Sequence, residues 1–153
     1  MKMETVVHDR PVLEHLRAVV RGEQALARVA ELVGFQLTEV EEGRASVALQ
    51  AGPQHANPMG TLHGGILCDI ADAAMGLAFA SGLAEGESFT TLELKINYLK
   101  PVWTARLRAE GRVVKRGRTV GLVECDVFDE KNSLVARASS TCMTLRGSEA
   151  VGR

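Results

Sequence analysis

No Cys-x-x-Cys pair occurs in this chain, and its three cysteines, Cys68, Cys125 and Cys142, stand far apart among apolar neighbours. That spacing argues against a redox dithiol or a cysteine-rich zinc site, and predicts buried free thiols in a reducing compartment. Histidine adds no metal site, because His55 and His63 have no third ligand near them. There is no Gly-x-Ser-x-Gly elbow of the serine-hydrolase kind and no Gly-rich phosphate loop. Charge of one sign is lacking too: 18 Lys plus Arg against 19 Asp plus Glu leave a formal charge of −1. Without a global positive field, nucleic-acid binding would need a local basic patch, and only "KRGR", Lys115 to Arg118, offers one. Long apolar runs are absent as well. The opening "MKMETVVHDRPVLEHLRAVV" is punctuated by charges, and the longest apolar segment carries Asp69 and Asp72. These features argue against a secretory signal and a membrane span, and predict a cytoplasmic protein with neither nucleic acid nor membrane as partner.

What is present fits one domain spanning residues 1–153, with 46% hydrophobic residues to build a core. "RPVLEHLRAVVRGEQALARVAELVG" spaces its apolar residues at three and four, so residues 1–34 read as a helical extension that ends near Gly34. Two short strands follow around Glu42-Gly43, then a loop from Ala51 to Met59. After a central helix, four segments from Ser88 to Arg146 alternate or are rich in β-branched residues, which predicts a meander. Arg106, Arg108, Glu110 and Arg112 fall on a wet face opposite Leu107, Ala109 and Val113. The fold class is therefore α+β, an antiparallel sheet wrapped on one long helix.

That helix, in "NPMGTLHGGILCDIADAAMGLAFASG", is apolar nearly all round. Ile66, Leu67, Ile70, Ala74, Leu77 and Ala78 share one side, with Met75 and Phe79 roughly opposite, and Asp72 falls on the second face with open space at Gly76. Asp72 is either a subunit-contact carboxylate or a group that meets a substrate. Asp69, nearer the helix start, reads as an acid that complements the helix dipole. The glycines of "HGG" leave first-turn N–H groups free to hold an oxyanion. From Gly64 to Asp72 the helix rises roughly 12 Å, too far for both to act on one carbonyl within one chain. If both act, they come from different subunits, and the second face lines a dimer interface.

Asn57, "GTLHGG" at Gly60 to Gly65, Asp72 after His63, "LKINYLKP" at Leu94 to Pro101 and "GRTVGLVECDVFD" at Gly117 to Asp129 together resemble the hotdog-fold acyl-CoA thioesterases. The likeness is to the PaaI-like branch of the 4-hydroxybenzoyl-CoA thioesterase superfamily, and it runs from about Phe35 to Arg146. It implies a sheet wrapped around the central helix, homodimers with shared active sites that pair into homotetramers, and hydrolysis of acyl-CoA to free acid and CoA without a cofactor. By position, Asp72 matches the catalytic acid and Gly64 the N–H that polarises the thioester carbonyl. His63 matches its supporting imidazole, Asn57 the side chain that orients water or carboxylate, and Thr91 the hydroxyl that helps hold the acid. Some relatives carry a hydroxyl residue one turn after the acid, where this chain has Gly76, so Thr91 is expected to support Asp72 instead. The extension 1–34 lies outside the likeness and is read as packing.

The cations Lys115, Arg116 and Arg118 read as a solvated turn, or in a CoA-thioester enzyme as contacts to the nucleotide phosphates. Met75, Phe79 and Leu83 read as the wall of an apolar acyl pocket for an aromatic or medium-chain group. Two other readings compete with the hydrolase. One is an acyl-CoA-binding sensor that does no chemistry; the other is a hotdog hydratase or dehydratase.

Overall fold

The computed structural model describes residues 10–153, so the first nine residues of the expected extension lie outside the described residues. Helix α1 spans Pro11–Val20 and opens on a proline, whose missing N–H costs nothing in a first turn. Helix α2, Arg28–Val33, stops at Gly34, which holds φ +93. An L side chain resists that left-handed conformation, which explains why the helical pattern ends at a glycine. Strands β1 (Phe35–Glu41) and β2 (Arg44–Ala51) form a hairpin. The long helix α3 is Gly64–Ala80, followed by β3 (Ser88–Tyr98), β4 (Ala105–Arg116), β5 (Val120–Phe128) and β6 (Leu134–Leu145).

All six strands join one antiparallel sheet in the order β1-β2-β4-β5-β6-β3. Only β4-β5-β6 is a meander. β3 leaves its sequence neighbour β4 and pairs with β6 at the far edge, which corrects the expectation of four consecutive strands. α3 crosses the concave face and packs chiefly on β4, β2 and β5. The packed face is the predicted one: Leu107, Ala109, Val123, Cys125 and Val127 are fully buried against α3. On the wet face Arg112 and Arg137 pair with Asp126 and Glu124.

Met75 and Phe79 on α3 are fully buried within the same chain, and Leu83 nearly so. They build the core, not the pocket wall or subunit face assigned to them from the sequence. The reason is the curl of the sheet, which covers α3 on more than one side. Of the thiols, Cys125 and Cys142 are buried as expected, whereas Cys68 is partly exposed.

Ser81 closes α3. Its hydroxyl is fully buried, donates to the Ala78 carbonyl at 2.7 Å, and accepts from the Gly43 N–H at 2.8 Å. One side chain thus ties the helix end to the β1–β2 turn. Ser81→Ala is expected to cost about 1–3 kcal/mol. It should be read as a lower urea midpoint with an unchanged denaturant slope.

Candidate active site

Two local features of the strands aim side chains at α3. The β3 ladder slips between Thr91 and Glu93, leaving Leu92 as a bulge. A bulge reverses which side of the strand faces the core, so Phe89 packs inward before it and Leu94 and Ile96 after it. Thr91 consequently faces the helix, and its hydroxyl donates to Asp72 Oδ1 at 3.4 Å. Behind it lies the Sγ of Cys142, 3.9 Å from the Thr91 oxygen and 3.7 Å from the Ser140 hydroxyl.

Asp72 keeps an opening to solvent, yet the surrounding protein pushes its carboxyl above the ordinary aspartate range, and the Thr91 hydrogen bond pulls partly back. Asp69 is raised too, by burial first and then by the negative charge of Asp72. No acidic residue falls in the first turn of α3, so Asp69 lies beyond the reach of the dipole role expected for it. It lines the same space as Asp72. That was missed because a carboxylate near a helix start has an adequate explanation without a pocket.

Asp72, Asp69 and Thr91 stand where two cavities meet. One, about 550 Å³, opens toward the start of α3 and is lined by Gly65, Ile66, Cys68 and Leu94 besides those three. The other, about 250 Å³, is apolar apart from them, with Phe35, Ala73, Gly76, Leu77 and Phe89 among its walls. Gly76 is pressed by Phe89: a Cβ there would stand 3.3 Å from the ring. The space read beside Asp72 is therefore partly filled by an aromatic edge. A larger cavity of about 600 Å³ lies along β1, β2 and β4, near α1, among Glu39, Glu41, Arg44 and Arg112, and contains none of these groups.

The residues ahead of α3 form a second cluster. His63 caps the helix, its Nδ1 accepting from the Gly65 N–H at 2.9 Å. A neutral ring bonded this way carries its proton on Nε2. Among the described residues no hydrogen bond engages the Gly64 N–H. That leaves a helix-start donor free to meet an oxyanion. Gly64 also admits Tyr98 closely, since a Cβ would stand 2.9 Å from the Tyr98 ring carbon and hydroxyl and push that ring aside. The Tyr98 hydroxyl donates to the Gly64 carbonyl at 3.1 Å and lies 3.1 Å from Cys68 Sγ. The Cys68 contact, then burial, push this phenol up to about 12. It acts as a protonated donor that fixes the turn, a role the sequence did not disclose. Asn57 folds onto its own loop, accepting from the Met59 and Thr61 N–H groups and donating to the Thr61 hydroxyl at 2.8 Å. One hydrogen on its Nδ2 remains for another partner.

Within one chain, then, Asp72 and Thr91 meet, whereas His63 and Asn57 line neither cavity beside them. The basic turn also divides. The β4 ladder slips between Val113 and Lys115, and this bulge turns Arg116 onto the packed face. Its guanidinium lies 3.8 Å over the Phe79 ring and donates to the Phe79 carbonyl at the end of α3. Arg116 therefore serves as a helix-end cation, which corrects its grouping with phosphate contacts; Lys115 and Arg118 stay exposed.

Thr91→Val removes the hydrogen bond that lowers Asp72 and is expected to raise that carboxyl further. If ionised Asp72 is the base, the acid limb of kcat/KM moves to higher pH in a pH–rate profile.

The wrapped helix and a raised carboxylate beside an apolar cavity are features of a hydrolase of the thioesterase class, and the comparison with known families agrees. The model of the thioesterase superfamily matches residues 59–136, about half of the chain, and the chain belongs to that family. Among its relatives is the medium/long-chain acyl-CoA thioesterase YigI of Escherichia coli K12, 26% identical over an alignment covering 84% of this chain and 99% of the relative. The structure of a phenylacetic acid degradation-related protein from Ralstonia eutropha JMP134 is 30% identical, with TM-score 0.76, covering 84% and 98% of the two chains. The E. coli PaaI protein from the phenylacetic acid degradation operon shares the fold, with TM-score 0.77 at 22% identity over 90% and 96%.

Proposed function

We propose that this enzyme hydrolyses an acyl-CoA thioester to the free acid and CoA, with Asp72 as the catalytic carboxylate. The observation that carries the reading is the placement of Asp72, held by Thr91 at the junction of two cavities, with its carboxyl raised by the surrounding protein. A carboxyl raised by burial is a stronger base than a solvated one, and thiolate is a good leaving group near neutral pH, so an activated water and a stabilised oxyanion suffice.

In this reading Asp72 takes a proton from water as the water oxygen attacks the thioester carbonyl carbon. The oxyanion meets the free N–H of Gly64 of the partner subunit, backed by His63, with Asn57 orienting the acyl carbonyl or water. The C–S bond then breaks, and the departing sulfur takes its proton from Asp72. Direct attack by Asp72 would instead give a mixed anhydride that water opens. Neither route draws on a metal or a separate cofactor.

The homodimer has a physical basis in β3. It is an edge strand with one side unpaired, and Leu92 and Tyr98 on it, with Leu99 just beyond, are more than half exposed. An edge of this kind calls for a covering partner, and a second copy of β3 fits it antiparallel. Pairing of dimers would complete a homotetramer. Lys115 and Arg118 remain as cations for the CoA phosphates, from this subunit or a neighbour. Among the described residues no helix is long and apolar enough to cross a membrane.

Thiol release from phenylacetyl-, hydroxybenzoyl- and straight-chain acyl-CoAs, followed with a thiol-reactive dye, tests the reading. Release by the native enzyme supports it. Binding of acyl-CoA with no release would favour a sensor, and hydration of an enoyl-CoA with no free thiol would favour a hydratase.

A further inference from the structure

The apolar cavity beside Asp72 has a wall that the family match does not reach. Leu26, Ala27 and Val29 line it together with Ala73, Gly76, Leu77 and Phe89. All three precede the matched residues 59–136 and belong to the segment read from the sequence as packing alone. Leu26 is seated on the core, whereas Ala27 is exposed and Val29 is 46% exposed.

This wall is fixed in place. Ala30, one residue beyond Val29, is 4% exposed, and Gly34 ends the helix with its N–H on the Ala30 carbonyl at 2.8 Å. Buried His55 holds the Val33 carbonyl through Nε2 at 2.7 Å and accepts from the Gly52 N–H through Nδ1 at 3.2 Å. The loop that carries Asn57 is thereby tied to the helix that carries Val29.

We propose that Leu26, Ala27 and Val29 set the acyl specificity of this enzyme, receiving the acyl group against α3 and β3 and limiting its length; this rests on the thioesterase reading for the identity of the substrate. The cavity of about 250 Å³ has room for on the order of eight methylene-sized groups, taking about 30 Å³ for each as for liquid water. That matches a phenylacetyl group or a chain of about eight carbons. A dodecanoyl chain exceeds it and must displace the wall or remain in water.

The test uses the full-length protein and Ala27→Trp. Ala27 makes no side-chain cap bond to α2, so the change removes no hydrogen bond. Thiol release is measured with acetyl-, octanoyl-, dodecanoyl- and phenylacetyl-CoA. In parallel, calorimetry follows binding of S-methyl- and S-octyl-CoA, thioethers that cannot be hydrolysed. The native enzyme is expected to prefer octanoyl and phenylacetyl over dodecanoyl. In Ala27→Trp the octanoyl-to-acetyl ratio of kcat/KM, and the matching ratio of thioether affinities, should fall at least about tenfold, the scale of pocket discrimination. Val29→Phe, on the same wall, carries the same expectation should the tryptophan variant lose its native circular dichroism. Unchanged ratios in a folded variant overturn the proposal. A fall in the thioether ratio with no thiol released from any substrate upholds the wall and overturns the hydrolase reading.

Discussion

Replacing Asp72 by asparagine is expected to lower kcat/KM for thioester hydrolysis by about 10²- to 10⁴-fold, the range general-base catalysis supplies. The fold should survive, because the carboxylate is a cost to the native state. Its folded pKa is raised by burial above the unfolded value. For a carboxyl shifted upward, the contribution to stability is greatest below the unfolded pKa, about 3.9, and is lost as pH rises through the folded value. At neutral pH ionised Asp72 is therefore on the unfavourable side of that change. Asp72→Asn should melt at the same temperature as the native protein or slightly higher at pH 7, with the difference shrinking in acid. With Asp72 as the base, the native pH–rate profile is expected to rise with pH through the raised pKa of Asp72, above the ordinary carboxylate range. Near-native thiol release by Asp72→Asn would assign the carboxylate a structural role and remove the mechanism proposed for it. Activity lost together with the melting transition would report misfolding instead.

The largest effect on stability is expected at Gly111, far from any turn. It lies in β4, paired with Ala45 on one side and Cys125 on the other. It is not among the positive-φ glycines, so an L residue could adopt its backbone conformation. Space forbids one. A Cβ would stand less than 3.0 Å from the Ala74 carbonyl and from the Met75 nitrogen, both in the backbone of α3. Neither neighbour is the movable end of a side chain, so the sheet and helix must separate. Gly111→Ala is expected to cost about 3 kcal/mol or more, the upper end of overpacking. At about 2–4 °C per kcal/mol for a chain of this size, the melting temperature should drop by roughly 6–12 °C. Ala74 follows Asp72 closely on α3, so residual activity should fall as well. A melting temperature within a degree of native would show that α3 is not held where the structure places it.

Both predictions rest on contacts of which the sequence showed one half. The pattern around Asp72 was legible: a helix apolar on every side with an aspartate on one face, opened by glycines whose N–H groups lack intrahelical acceptors. Alternation in 105–113 correctly separated the wet face from the packed one, because period two follows directly from strand geometry. Gly34 marked the end of its helix for an equally local reason, its left-handed backbone.

Where alternation breaks, local reading failed. The bulges at Leu92 and Val114 each reverse strand parity, and no residue type at those positions announces them. One aims Thr91 at Asp72, a placement reached from family resemblance and not from pattern. The other draws Arg116 out of the basic turn and onto Phe79. Gly111 gave no sign of its importance, since nothing in a strand sequence says which helix lies across it. Met75 and Phe79 were assigned to a pocket because a helical wheel reports apolar faces without saying what covers them.

The sequence by itself determined the elements, the two faces of the sheet and the aspartate on one face of an apolar helix, because each follows from interactions between residues close along the chain. Only the tertiary structure decided that β3 runs beside β6, at the end of the sheet with its other side unpaired. Only it brought Leu26, Ala27 and Val29 into the wall of the cavity beside Asp72. These are pairings between segments distant in sequence, chosen by how the whole sheet closes on α3, and no local pattern encodes that choice.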